Sequence, residues 1–295
     1  MEYRYFNFQC SLFGRLRTLH RPRISARRQK SLGVSFSPRM SALRPASSSE
    51  ANSFLPEPDE NIQADILYIC SPNNPTGAVF NRLQLQAWIN FANENGAVIL
   101  FDAAYEIFVE DKDLPHSIYE LEGADRCAIE ICSLSKTAGF TGTRLGYTVV
   151  PSNLVRNGMS LNAMWSRNRE TRTNGVSYIL QKGAAAVFTP EGQAQTHENL
   201  RVYKKNAAYF MDALEQAGIW YCGGKNSPYI WMKCPEGMSG REFFDYLLNE
   251  IQVVGIPGDG FGACGKGYFR FSTFGDPDET KEAANRLCAL LKKES

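Results

Sequence analysis

The chain has 295 residues, a hydrophobic content of 43% and a net charge of +1, enough to bury one large or two modest cores. The near-neutral charge argues against nucleic acid as a general partner, and no apolar run reaches the length needed to span a bilayer. The eight cysteines fall on predicted strands and helices without paired metal spacing, and His20, His116 and His197 flank no nucleophile. Reduced thiols in an intracellular compartment, no zinc site and no hydrolase triad are therefore expected.

Residues 1–53 are rich in Arg and Ser, with Glu2 and Glu50 their only acids. Such composition resists a packed core, and two explanations stand side by side: an organelle transit segment, or a misassigned upstream exon or reading frame. From Asp65 the pattern changes. The run Ile66-Leu67-Tyr68-Ile69-Cys70 predicts a buried strand, closed by Ser71-Pro72-Asn73-Asn74-Pro75-Thr76-Gly77. A helical pattern over Leu83 to Asn95 follows, then a strand over Ala97 to Phe101 closed by Asp102-Ala103-Ala104-Tyr105. Strands over Cys127 to Cys132 and Leu145 to Val150 complete the alternation. It implies a mainly parallel sheet covered by helices, an α/β architecture.

Between those last two strands stand Ser133-Leu134-Ser135-Lys136 and, eight residues on, Arg144. One amine, two hydroxyls and a guanidinium on one connection are equipment for holding a phosphorylated aldehyde. Singly, each group has a plainer explanation. A lysine in a Ser-rich loop is usually a solvated surface residue. Asp102 suits an N-cap, Asn74 to Gly77 an ordinary turn, and Asn174-Gly175 another turn.

A long helical pattern from Asn199 (Tyr203, Ala207, Phe210, Leu214) leads into a smaller α+β unit that ends in a helix from about Pro277 to Lys292. Gly260-Phe261-Gly262-Ala263-Cys264-Gly265 spells a dinucleotide-binding fingerprint, but a strand, Tyr268 to Ser272, follows it instead of a helix. It is read as a close backbone approach. Arg270 sits in the middle of that strand, where a buried guanidinium needs an anion, supplied either by a ligand or by a structural ion pair.

Taken in order, these motifs resemble the fold type I aminotransferases, which are pyridoxal phosphate enzymes. The resemblance runs from about Phe54 to Ser295, and the string Phe140 to Tyr147 is similar to the branch of that family acting on LL-diaminopimelate. It implies a transit-like or disordered segment at 1–53, a partial cofactor-binding large domain of three α/β/α layers at 54–198, and a linking helix with a small α+β domain at 199–295. Lys136 is then the lysine that bonds the cofactor's aldehyde and carries the catalytic proton. Asp102 pairs with the pyridine nitrogen, Asn74 and Tyr105 hold the phenolic oxygen, and Ser133, Ser135 and Arg144 hold the phosphate. Arg270 grips the substrate α-carboxylate, with Asn74 beside it and Asn174 reaching the substrate, usually from a partner subunit. Asn226 to Tyr229 border the substrate.

The resemblance further implies LL-diaminopimelate and 2-oxoglutarate or glutamate as the small-molecule partners, lysine biosynthesis as the setting, and a homodimer with a shared site. The nearest rival is a related lysine aminotransferase. A transit segment would place the protein in the plastid stroma; otherwise the cytoplasm is expected. Family members also carry, ahead of the Asn-Pro-Thr-Gly loop, a substrate-touching arm, a first strand, a phosphate-receiving helix N-terminus and an aromatic residue that stacks on the pyridine. None is found before Phe54, so both edges of the strand block are expected to be unpaired. A catalytic aminotransferase and a non-catalytic remnant of one are both consistent with that pattern.

Overall fold

Short apolar runs alternate with one amphipathic helical stretch between residues 65 and 150, and this alternation builds the sheet that carries the site. The computed structural model describes residues 6–7, 48–59, 61, 63–172 and 175–294. In the first sheet β1 (Phe6–Asn7), β2 (Ile66–Cys70), β3 (Val98–Asp102), β4 (Ala128–Ser133) and β5 (Gly146–Val149) lie side by side in that order. The first four are parallel and β5 is antiparallel to β4. The edge at β2, expected to be bare, is paired through Phe6↔Leu67 and Asn7↔Tyr68. Two residues show no period by which a strand could be read. At the other edge β5 has no further strand beside it among the described residues. The rest of 1–53, apart from residues 48–53, lies outside the described residues, and so does the transit-segment expectation.

Helix α1 (Arg82–Asn95) makes the crossover between β2 and β3. Its first turn is closed reciprocally: the Asn81 side chain accepts from the Gln84 amide and Gln84 reaches back to the Asn81 amide. Gly96, in the left-handed region at φ 68°, ends it. Leu85, Trp88, Ile89 and Ala92 recur at helical spacing on one face and are fully buried against the sheet. Trp88 also donates from Nε1 to the Pro56 carbonyl at 2.9 Å. Trp88→Ala should therefore destabilise the fold by about 3–5 kcal/mol, read as a lower urea midpoint with an unchanged denaturant slope. A loss below about 1 kcal/mol would show that this helix is not part of the cooperative core.

After β4 come the single turn α2 (Leu134–Thr137), then past β5 a hairpin of β6 (Val155–Arg156) and β7 (Met159–Ser160). Next are α3 (Leu161–Arg172), which buries no residue, α4 (Tyr178–Val187) and the 27-residue α5 (Pro190–Gln216). The sequence pattern put the start of α5 near Asn199. It begins earlier because the Thr189 side chain accepts from the Gly192 amide and Pro190 occupies the first turn.

A second, antiparallel sheet contains β8 (Tyr221–Gly223), β9 (Tyr229–Lys233), β10 (Ile256–Pro257) and β11 (Tyr268–Ser272), in the order β10-β11-β9-β8. Helices α5, α6 (Gly240–Ile251) and α7 (Pro277–Glu294) cover it, enclosing Phe210, Phe243, Leu247, Phe269, Phe271 and Leu287. No helix of the described residues is long and apolar enough to cross a membrane. No disulfide joins the described cysteines, and among the described residues no group of three or more His, Cys, Asp or Glu could hold a metal.

Candidate active site

Because β2, β3 and β4 run parallel, the loops leaving Cys70, Asp102 and Ser133 emerge at one edge of the sheet, where open α/β sheets place ligands. The loop after β2 is tied to itself. The Ser71 hydroxyl accepts from the Phe80 amide at 3.1 Å, and Asn73 Oδ1 accepts from the Thr76 hydroxyl at 3.1 Å. Gly77 at φ 69° lets the loop lie on the second sheet, since a Cβ there would come 2.4 Å from the Tyr229 carbonyl oxygen. The loop is thereby fixed with Asn74 facing β11.

The functional groups converge across the two sheets. Arg270 Nη1 donates to Asn74 Oδ1, and Asn74 Nδ2 donates to the Tyr105 hydroxyl at 3.3 Å. The Tyr105 hydroxyl shares a hydrogen bond with that of Tyr229 at 2.9 Å. The Arg270 guanidinium lies 4.5 Å from the centre of the Tyr229 ring and 4.9 Å from that of Phe261, between two aromatic faces. Its Nε is buried with no hydrogen-bond partner among the described residues. Burial holds this guanidinium below its ordinary pKa and pushes the Tyr105 phenol well above its own.

At the end of β3, Asp102 Oδ2 accepts from the Tyr68 hydroxyl, and Oδ1 from the Ala104 amide at 3.1 Å. Burial, then the Asp102 carboxylate, raises the Tyr68 phenol far above its usual range. On α2, Lys136 Nζ sits 4.4 Å from the centre of the Phe274 ring. Desolvation first, and then the charge of Arg270, depress the Lys136 amine, so the neutral, nucleophilic form is reached at lower pH. That charge comes from the second sheet and not from Arg144 on the same connection. Tyr68, Tyr105, Tyr229 and Phe274 belong to one aromatic cluster with Phe108 and Tyr203, which forms a common wall to the carboxylate, the amine and the arginine.

The remaining expected residues are placed less centrally. Ser133 Oγ accepts from the Ser135 amide at 3.3 Å and so caps α2. Arg144, exposed and in the left-handed region at φ 54°, donates from Nη1 to the Thr141 carbonyl at 3.0 Å. Asn226 Oδ1 accepts from the Glu110 and Asp111 amides at 2.9 and 3.2 Å, a structural use of that side chain. Asn174 lies outside the described residues. Tyr68, Phe274 and Phe261 were not anticipated as site residues. The signal that could have found Tyr68 is a phenol inside an otherwise aliphatic strand, where a buried hydroxyl needs a partner.

A family model described as aminotransferase class I and II matches residues 33–287. The chain belongs to this family. Among the relatives of the chain, the LL-diaminopimelate aminotransferase of Agathobacter rectalis is 49% identical over 81% of the chain and 59% of its own length. That of Lawsonia intracellularis is 50% identical over 81% and 60%. The solved L,L-diaminopimelate aminotransferase from Chlamydomonas reinhardtii superposes with a TM-score of 0.77 at 41% identity, over 81% of this chain and 59% of that one. An aromatic aminotransferase from Pyrococcus horikoshii gives 0.72 at 26% identity, over 83% and 66%. The chain thus spans about three-fifths of the length of the curated relatives it matches.

The cofactor of this family is pyridoxal phosphate, and the residues gathered here fit it. The donor set offers an amine held below its ordinary pKa, a carboxylate at a strand end, and an Asn–Tyr pair in hydrogen-bond contact. The Nε of Arg270, buried with no hydrogen-bond partner among the described residues, leaves a donor for an anionic ligand.

Proposed function

We propose that this chain carries the site of a pyridoxal phosphate aminotransferase that moves an amino group between LL-diaminopimelate and 2-oxoglutarate in lysine biosynthesis. The observation that carries the reading is the meeting of Lys136, Asp102, Asn74, Tyr105 and Arg270 on one aromatic wall. The names of the relatives supply the substrate. When bound, pyridoxal phosphate provides an electron sink for the bonds at the substrate's Cα. Lys136 Nζ would hold the cofactor's aldehyde carbon and, once displaced from it by the substrate amine, would carry the proton between the substrate's Cα and the cofactor, a task its depressed pKa suits. Asp102 would pair with the pyridine nitrogen, Asn74 and Tyr105 would hold the phenolic oxygen, and Ser133, Ser135 and Arg144 would hold the phosphate. Arg270 takes the α-carboxylate in a two-pronged contact, orienting the Cα–H bond.

The reading includes a homodimer with a shared site to which Asn174 contributes. In support, Tyr147, Tyr178, Ile179 and Phe188 are exposed apolar side chains on the large-domain side. It also includes the plastid stroma as compartment if the Arg- and Ser-rich residues 1–53 act as a transit segment, and the cytoplasm otherwise. The test is glutamate formation from LL-diaminopimelate and 2-oxoglutarate, with lysine and aromatic amino acids as competing donors. It uses the chain itself and the chain with a relative's amino-terminal region joined ahead of Phe54. Arg270→Ala should raise KM for both substrates by about 10–100-fold and leave the bound cofactor's visible band in place. Unchanged KM values would remove Arg270 from carboxylate binding.

A further inference from the structure

We infer that Tyr229 is a positioning residue that ties the cofactor end of the site to its carboxylate end. The inference rests on the functional reading above and concerns a residue that the resemblance placed only at the border of the substrate. Two parts of one side chain make two different contacts: the hydroxyl meets that of Tyr105 at 2.9 Å, and the ring face meets the Arg270 guanidinium at 4.5 Å. The strand register makes the second contact obligatory. Arg270 pairs with Trp231 across β9 and β11, so Tyr229, two residues from Trp231, is its diagonal neighbour on the same face of the sheet.

The backbone of Tyr229 has little room to move. Its carbonyl accepts from the Gly224 amide at 2.8 Å and lies so close to Gly77 and Gly223 that a Cβ on either would come within 2.4 Å of it. Its amide donates to the Ser227 hydroxyl at 3.2 Å, and the side chain is 5% exposed. A phenylalanine would fill this space equally well, so packing alone does not account for the hydroxyl.

Hydrogen-bond counting does. A phenol oxygen offers one proton and two acceptor positions. Asn74 Nδ2 fills one acceptor position of Tyr105. With the Tyr229 hydroxyl donating into the other, the Tyr105 proton is left to point at a ligand oxygen. Tyr229 thereby sets the direction in which Tyr105 donates, while its ring holds Arg270 in place for a carboxylate.

The test compares Tyr229→Phe and Tyr229→Leu with the wild-type chain. Tyr229→Phe removes only the hydroxyl. In the cofactor-free chain labelled with 13C at tyrosine Cζ, it should move the Tyr105 resonance, assigned with Tyr105→Phe. In the loaded chain it should shift the visible band of pyridoxal phosphate and weaken cofactor binding roughly fivefold. Its calorimetric affinity for succinate, a non-reacting dicarboxylate, should stay within about twofold, whereas Tyr229→Leu should lose roughly tenfold by giving up the ring face. An unmoved Tyr105 resonance in Tyr229→Phe overturns the inference, as does an equal succinate loss in both variants. A wild-type chain that develops no visible band with pyridoxal phosphate defeats the functional reading instead, and the resonance then decides the Tyr229–Tyr105 link by itself.

Discussion

Lys136→Ala should lower amino-group transfer by about 10²–10⁴-fold, the range set by losing a positioned acid–base group, and should remove the visible band of bound pyridoxal phosphate. Lys136 is the one lysine on the connection between β4 and β5, so no neighbour on that loop can replace it. Its amine is half-buried beside the Phe274 ring and within reach of the Arg270 charge. Both surroundings depress its pKa and favour the neutral amine, the form that attacks a carbonyl. The check that does not depend on turnover is borohydride reduction of the loaded chain followed by peptide mapping. The added mass should sit on the peptide containing Lys136. Label on another lysine, or a visible band that survives in Lys136→Ala, would reject the assignment.

Much of this was legible because strands ending in polar residues at the same sheet edge announce themselves one at a time. Ile66 to Cys70, Ala97 to Phe101 and Cys127 to Cys132 are apolar runs long enough for one strand each, and the structure places strands at Ile66–Cys70, Val98–Asp102 and Ala128–Ser133. The groups at their ends, Asn74, Asp102 and Lys136, could be named from local order. What could not be read is whatever depends on the second sheet folding over the first. The placement of the Tyr229 hydroxyl on that of Tyr105, of Phe274 beside Lys136 and of Asn74 Oδ1 on the Arg270 guanidinium joins residues more than a hundred positions apart. Nor did local pattern give the direction of a side chain. Arg144 has the expected place on its loop, yet its guanidinium bonds the Thr141 carbonyl. The stretch from Leu161 to Arg172 carries no apolar period to read, and α3 accordingly buries no residue.

Substitutions at Asp102 should separate charge from framework. In Asp102→Asn the side-chain oxygen can take the place of Oδ1 and accept from the Ala104 amide, while the NH2 takes the place of Oδ2 and donates to the Tyr68 hydroxyl, which turns from donor to acceptor. The fold and cofactor binding should therefore persist, while the negative charge proposed to pair with the pyridine nitrogen is gone. Losing one preorganised electrostatic group of this kind costs about 10²–10³-fold in turnover. Asp102→Ala loses the charge and also strands the partly buried Tyr68 hydroxyl, so the same kinetic loss should come with about 1 kcal/mol of destabilisation. Steady-state turnover and urea midpoints of the two variants, measured side by side, read the two effects independently. An asparagine variant with near wild-type turnover would take Asp102 out of the chemistry and leave it a partner of Tyr68. Equal stability of the alanine and asparagine variants would show instead that the Tyr68 hydroxyl, freed from Asp102, finds water.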